Sequence, residues 1–255
     1  MASFPPVEAA VRTLRLLELL NREPVTTVAL LHAATGIPKP SIVRLLQTLE
    51  SEGYVDRGGA PGYYRLTSKV RSLASGFHGD PMTVEIIAPL LEDLTATIKW
   101  PAALAMPDNG AVIVRYSTIA SSPLSLRHST INMRLSLVSR ALGLAYLAFC
   151  EAEERSTLLQ VLLQSGDPED ALVHDLPALD EMLEAIRRRG YALRHPKVRP
   201  ISNTLAVPVL DARRVVGSIG ITWFASTMPQ EEAVRRYLGP LMHVAAQARM
   251  ALAAA

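Results

Sequence analysis

The stretch IPKPSIVRLLQTLESEG, Ile37 to Gly53, decides how the rest of the chain is read. Ile42, Leu45, Leu46 and Leu49 fall at i, i+3, i+4 and i+7, the spacing that lines four apolar side chains along one helical face. The opposite side carries Lys39, Ser41, Arg44, Gln47 and Thr48, groups able to reach phosphates or base edges. Gly53 stands where such a helix would stop in the left-handed conformation. Just upstream, VTTVALLHAATG (Val25 to Gly36) predicts a shorter helix, with Thr26 or Thr27 as cap and Gly36 in the turn. Two helices joined by a tight turn containing Gly, the second with a basic outward face, describe a helix-turn-helix. A charged outer face is also what any solvated helix shows, so the weight comes from the residues after Gly53. Tyr54 to Arg57 reads as a short strand, Gly58 to Gly62 as a turn and Tyr63 to Leu66 as a returning strand. A β-hairpin straight after a recognition helix is a wing, and Arg57, Arg65, Lys69 and Arg71 would point it at a phosphate backbone.

Charge agrees with that placement. The 255 residues suit two domains, with 49% hydrophobic and 20% charged residues and a formal charge of +2. Residues 39–71 hold six Lys/Arg against three Asp/Glu, so the excess sits on the proposed reading head. The single cysteine, Cys150, lies in the apolar run GLAYLAFC, which excludes an internal disulfide framework and predicts a buried structural thiol. No apolar run is long enough to span a bilayer, and MASFPPVEAA lacks the layout of a secretory signal. A cytoplasmic protein with no membrane partner is expected. There is no phosphate loop, no GxSxG elbow and no HExxH pair, and the histidines at 32, 78, 128, 174, 195 and 243 show no metal-ligand spacing. Neither catalysis nor a cofactor or metal is expected.

Along the chain, Val7, Val11, Leu14, Leu17 and Leu20 predict an amphipathic first helix beginning near Pro6, with Arg12 and Arg15 on its wetter side. After the wing, TSKVRSLASGFHGDP reads as a helical turn running into Gly76, Gly79 and Pro81, the best candidate for a domain boundary. Residues 1–78 are therefore read as a winged helix-turn-helix DNA-binding domain, 79–99 as a linker helix and 100–255 as a domain for effector binding and oligomerisation. The linker is apolar over more than one face (Val84, Ile86, Ile87, Leu90, Leu91, Leu94, Ile98), which favours a subunit contact; the alternative is packing on its own domain. Beyond Trp100, PAALAM and AVIVRYSTI flank the turn PDNG as a hairpin, with short strands expected at Pro123 to Arg127 and Arg134 to Leu137. Helices follow at Ser139 to Phe149, Glu151 to Gln164 and Pro177 to Arg189, then a strand at Gly190 to Arg194. Two strands around Asp211 to Arg214 and a helix from Gln230 to about Leu252 close the chain. The fold class is α+β, helices added to an antiparallel sheet.

In the last two strands, Ile219, Ile221 and Trp223 alternate with Ser218, Gly220 and Thr222, and Leu205, Val207 and Val209 alternate with Thr204, Ala206 and Pro208. Each strand thus has one bulky face and one of small or hydroxylated groups. The small faces either leave room for a ligand or pave the seat of a close-packed helix. Arg194, His195, Lys197 and Arg199 beside them, and Arg127, Arg134 and Arg140 before the central helix, suit an organic acid, because Arg pairs bidentately with carboxylates.

Taken together, these residues resemble the IclR family of bacterial transcription regulators, over nearly the whole chain. TGIPKPSIVRLLQTLESEGYV (35–55) is similar to the family's recognition-helix signature and YYRLT (63–67) to its wing exit. LSLVSRALGLAYLAF (135–149), IRRRGYAL (186–193) and TLAVPVLD with VVGSIGIT (204–211, 215–222) resemble its second-domain motifs. The resemblance implies a winged helix, a linker helix and a GAF-like effector-binding domain, in a homodimer or tetramer on palindromic double-stranded DNA, controlling catabolic genes in response to small organic acids. With the residues above, it implies DNA contacts from Thr26, Thr27, Lys39, Pro40, Ser41, Arg44, Gln47, Arg57, Tyr64 and Arg65. It implies effector contacts from Arg127, Met133, Leu135, Ala141, Leu142, Arg194, His195, Thr204, Gly220 and Thr222. Where the family often has an acidic run after GYAL, this chain reads RHPKVRPISN, a cationic lining that favours a larger or more acidic ligand and resembles branches controlling aromatic-acid breakdown. Pro40 and Val43 stand where the family commonly has polar residues, which shifts base readout towards Lys39, Ser41, Arg44 and Gln47.

Overall fold

A computed structural model describes residues 5–23, 25–58, 62–74, 81–124, 130–195, 198, 201–212 and 214–254. The chain divides into two compact units, the second starting at the helix that opens at Pro81. The first unit contains α1 (Glu8–Arg22), β1 (Thr26–Thr27), α2 (Val28–Thr35), α3 (Lys39–Ser51), β2 (Val55–Arg57) and β3 (Tyr63–Leu66). Between Thr26 and Thr27, the latter is the cap of α2: its hydroxyl accepts from the Leu30 N–H at 3.3 Å. Thr26 is buried instead, opposite Tyr64 in a strand β1 that makes the wing three-stranded, in the order β1-β3-β2. Helix α3 begins after Pro38, where a proline's missing N–H costs nothing, and ends before Gly53 at φ +74°. Its Ile42, Leu46 and Leu49 join Leu16, Leu20, Leu31, Ile37 and Val55 in one core.

Helix α1 departs from expectation. Val7 is 71% and Leu14 60% exposed, while Leu16 and Leu20 are buried. LRLLELL offers more than one apolar stripe, and the stripe that the rest of the core accepts is the one taken. The expected turn at Gly58 to Gly62 is closed by the Gly58 N–H donating to the Tyr63 carbonyl at 2.8 Å; its residues 59–61 lie outside the described residues. The boundary glycines Gly76 and Gly79 lie outside them too.

The second unit contains α4 (Pro81–Ile98), β4 (Ala102–Asp108), β5 (Ala111–Ser117), β6 (Arg134–Leu135), α5 (Ala141–Phe149), α6 (Ala152–Leu163), α7 (Leu176–Arg189), β7 (Ala192–Leu193), β8 (Ser202–Asp211), β9 (Arg214–Phe224) and α8 (Gln230–Leu252). Its six-stranded sheet runs β6-β5-β4-β9-β8-β7, antiparallel throughout. Asn109 and Gly110 turn β4 into β5 with φ of 46° and 73°, the left-handed pair that an Asn-Gly hairpin requires. One sheet face packs on α4 and α8 through Ile87, Leu91, Leu205, Ile219, Trp223 and Leu241. The other packs on α5, which α7 backs in turn. Helix α4 thus buries Ile87, Leu91 and Leu94 in its own unit, while Val84, Ile86 and Leu90 are only partly covered.

Two expected strands differ. Thr118–Ser121 is a short 3-10 stretch, Pro123 and Leu124 lie in a turn, and residues 125–127 of the expected strand fall outside the described residues. The strand expected at Arg134 to Leu137 stops at Leu135, because Ser136 turns the chain: its hydroxyl accepts from the Val138 N–H at 3.2 Å. Among the described residues, no helix is long and apolar enough to cross a membrane.

Candidate nucleic-acid interface and effector site

Burying Ile42, Leu46 and Leu49 obliges α3 to turn its polar side outward. Lys39, Pro40, Arg44, Gln47 and Thr48 are exposed and Ser41 is half-buried. A groove of about 660 Å³ runs beside them, walled by Ser41, Arg44, Gln47 and Thr48 on α3 and by Glu8 and Arg12 on α1. Among the described residues, Lys39, Arg44 and Gln47 have no side-chain partner, so their donors are available. The wing differs. Arg57 Nε donates to Glu50 Oε1 at 3.1 Å, and Arg65 donates in a fork to Asp56, at 3.2 Å and 3.0 Å. These bonds and the carboxylate charges raise the pKa of both guanidiniums, which stay cationic. Lys69 is turned onto its own unit: its Nζ donates to the Glu52 carbonyl at 2.7 Å and lies 4.8 Å from the Tyr54 ring centre. Tyr64 is half-buried against the core. Thr27 is occupied as a cap and Thr26 is enclosed. The side chain of Arg71 lies outside the described residues.

In the second unit, β8 and β9 pair with Thr204 opposite Thr222, Ala206 opposite Gly220 and Pro208 opposite Ser218, so their small faces point the same way. Much of that face is paving. A Cβ on Gly220 would meet Leu142 Cδ2 at 3.2 Å and the Leu205 carbonyl at 2.8 Å, and the Ser218 hydroxyl donates to the Leu142 carbonyl at 2.8 Å. Helix α5 sits there, with Ala141 and Leu142 buried. Towards the other end of the strands the face becomes polar. The Thr204 and Thr222 hydroxyls are 3.1 Å apart, and Arg194 donates to Thr204 Oγ1 at 2.5 Å, to the Ser202 carbonyl at 2.6 Å and to Ser202 Oγ at 2.9 Å. The next residue, His195, donates its backbone N–H to the Ser139 carbonyl at 3.0 Å.

Sequence reasoning missed Ser139. It is only 5% exposed, and its hydroxyl is buried with no hydrogen-bond partner among the described residues. Such a group costs about 1–3 kcal/mol. It stands just before α5, whose first N–H groups have no intrahelical acceptor and whose N-cap, Arg140, supplies no side-chain bond. A hydroxyl next to a helix start without a capping side chain was the signal in LSLVSRALG. The arginines expected to serve a ligand from this side are spent. Arg140 is buried in a two-pronged pair with Glu169, and Arg134 lies 3.3 Å from Asp167 and 3.4 Å from Asp170. Met133 and Leu135 pack in the α5-side core. Arg127, Lys197 and Arg199 lie outside the described residues. The groups that stand near one another at this end are the bonded set Arg194, Thr204 and Thr222, and Ser139, whose carbonyl is held by the His195 N–H.

Cys150, below α5, is buried, and desolvation pushes its thiol up to about 11. Among the described residues, no cluster of metal-ligating side chains occurs.

Residues 9–59 match the model of the IclR helix-turn-helix domain, and residues 82–249 match that of the bacterial transcriptional regulator IclR C-terminal domain. The DNA-binding transcriptional repressor YiaJ of Escherichia coli is 27% identical over 86% of this chain and 79% of its own. The IclR structure of Thermotoga maritima superposes with a TM-score of 0.66 at 20% identity, covering 96% of this chain and 98% of that one. An IclR homologue from Microbacterium hydrocarbonoxydans, complexed with 4-hydroxybenzoate, superposes with a TM-score of 0.65 at 20% identity, covering 97% and 100%.

Proposed function

The chain belongs to the IclR family of bacterial transcription regulators, and from that membership we propose that it controls a catabolic operon in response to a small organic acid, aromatic acids included. It is a DNA-binding regulator and not an enzyme. The reading head is residues 1–78, with α3 in the major groove, the wing against the adjacent backbone, and base contacts from Lys39, Ser41, Arg44 and Gln47. Two copies, or four, meet a palindromic operator in the cytoplasm, with half-sites about one helical turn apart or a multiple of that. The linker helix, residues 79–99, carries the effector's influence to the reading heads.

One observation carries the acid reading: a buried Ser139 hydroxyl with no hydrogen-bond partner among the described residues, at the start of α5 and tied through His195 to Arg194 and the Thr204–Thr222 pair. A carboxylate placed there accepts from Ser139 and from Arg194, and removes the cost of the empty donor. The cationic run RHPKVRPISN, where the family often has acidic residues, extends the preference to larger or more acidic compounds. The homologue holding 4-hydroxybenzoate is consistent with that class.

The test is a thermal-shift panel on the full chain: 4-hydroxybenzoate, benzoate, a short keto acid and a dicarboxylate. A ligand at a hundred times its Kd adds about 2.7 kcal/mol of stability. At least one acid should raise the melting point, and Ser139→Ala and Arg194→Gln should each weaken that response. A panel that leaves the melting point unmoved, or variants that respond like the parent, would count against the site and favour a second unit that only oligomerises.

A further inference from the structure

Five cations of the first unit fall into two groups. On α3, Lys39 and Arg44 face outward without partners among the described residues. At the borders of that face, three arginines each meet a carboxylate. Arg12 Nε lies 3.2 Å from Glu8 Oε2 in the α1 wall of the groove. Arg57 pairs with Glu50 at 3.1 Å, and Arg65 with Asp56 at 3.0 Å. Sequence spacing does not announce two of the three, because Glu50 and Arg57 sit on different elements and Asp56 and Arg65 on opposite strands of the wing.

We propose that Glu8, Glu50 and Asp56 are specificity-determining residues of DNA recognition, occupying the flanking guanidiniums in the place where a phosphate would sit. A carboxylate and a phosphate offer an arginine the same fork of oxygens. All six side chains reach solvent, so the pairs are individually weak and exchange readily. On a duplex of arbitrary sequence α3 gains little from the bases, and affinity rests on the number of phosphates neutralised. With its border arginines already balanced, the protein has few cations to spend there. On the preferred sequence, base contacts by α3 hold the backbone against the rim long enough for phosphates to displace the carboxylates. The acids therefore weaken wrong complexes more than right ones, which is how discrimination by counter-charge works.

This inference rests on the reading that the outward face of α3 meets DNA, so the experiment separates the two. The full-length chain and its Glu50→Gln/Asp56→Asn and Glu8→Gln variants are titrated onto a random 40-base-pair duplex over a salt series. A duplex selected by the parent protein from a random pool serves as the preferred site. The double variant should bind the random duplex about three- to tenfold tighter, with its salt slope steeper by about 0.9 for each phosphate gained. Binding to the selected duplex should tighten less, so the ratio falls. Glu18→Gln, an exposed carboxylate of α1 outside these pairs, reports the effect of charge alone. Adding Arg57→Gln/Arg65→Gln to the double variant should abolish the gain. Random-duplex binding no tighter than that of Glu18→Gln, or weaker than the parent's, overturns the proposal; weaker binding would mean that the acids hold the arginines in place for phosphate. Selected-duplex binding unchanged by Arg44→Ala would instead overturn the reading of α3.

Discussion

Gly143, the third residue of α5, lies pressed against the chain that leads into its own helix. In ALGLAYLAF it reads as an ordinary weak point in an apolar helix, yet a Cβ built on it would lie 2.0 Å from the Ser136 carbonyl oxygen and 2.7 Å from Leu137 Cα. Nothing in the spacing says that the chain seven residues earlier would be pressed against this turn. Gly143→Ala should cost about 2–3 kcal/mol through overpacking, read as a lower urea midpoint with an unchanged slope. Cys150 was legible from its apolar surroundings, and its raised pKa gives a signed prediction. The folded thiol titrates near 11, against 9.0 for the unperturbed group, so the unfolded state loses its proton first as pH rises. The stability that this thiol contributes is whole below pH 9 and is lost progressively between 9 and 11. Melting curves over that window should fall less steeply for Cys150→Ala than for the parent; parallel curves would show that the thiol stays wet. Ser139 sits between these cases: its place before α5 was readable, but not that its hydroxyl is buried with no partner among the described residues.

Among the elements, α3 and α8 were legible because each has a single apolar stripe matched to one partner surface. For α1 the helix was legible but its buried face was not, since its clustered leucines offer several stripes and the choice is made by α2, α3 and β3. The strand after Thr130 was overrun for a similar reason: Ser136 bonds the backbone locally and ends the pairing that the apolar pattern would continue. Local chemistry also divides the threonine pair. Thr27→Ala should cost the first unit about 1 kcal/mol by removing the cap of α2, seen as a lower melting temperature of the reading head. For α3, Arg44→Ala should lose about 1–3 kcal/mol on the preferred duplex if the guanidinium is bidentate to guanine, and relax preference at that base. A footprint of unchanged strength and sequence would assign base reading to other side chains.

At the scale of the molecule, the β4–β5 and β8–β9 hairpins were legible from their turn residues and period-two strands, whereas the order β6-β5-β4-β9-β8-β7, in which β9 joins the two by pairing with β4, was not, because periodicity does not name a distant partner. The half of the small face that α5 occupies did not follow, because small residues announce close approach without naming what approaches. A bound acid changes DNA affinity only as far as it binds two arrangements of the protein differently. Saturating an effective acid should therefore shift the Kd for the selected duplex by the same factor that the duplex shifts the Kd for the acid. Two unequal factors would mean that the linkage has been misassigned. The seating of α5 bears on where an acid bound as proposed would act. Its Leu142 carbonyl is bolted to Ser218, and its third residue, Gly143, is flush with Ser136. A guest at the head of this rod, as proposed above, meets an anvil, and any adjustment is expected on the side of Arg194 and His195. With an acid bound as proposed, amide exchange should slow at Arg194, His195 and Ser202–Thr204 while 141–149 keeps its rate, which would make α5 the fixed jaw of the clamp.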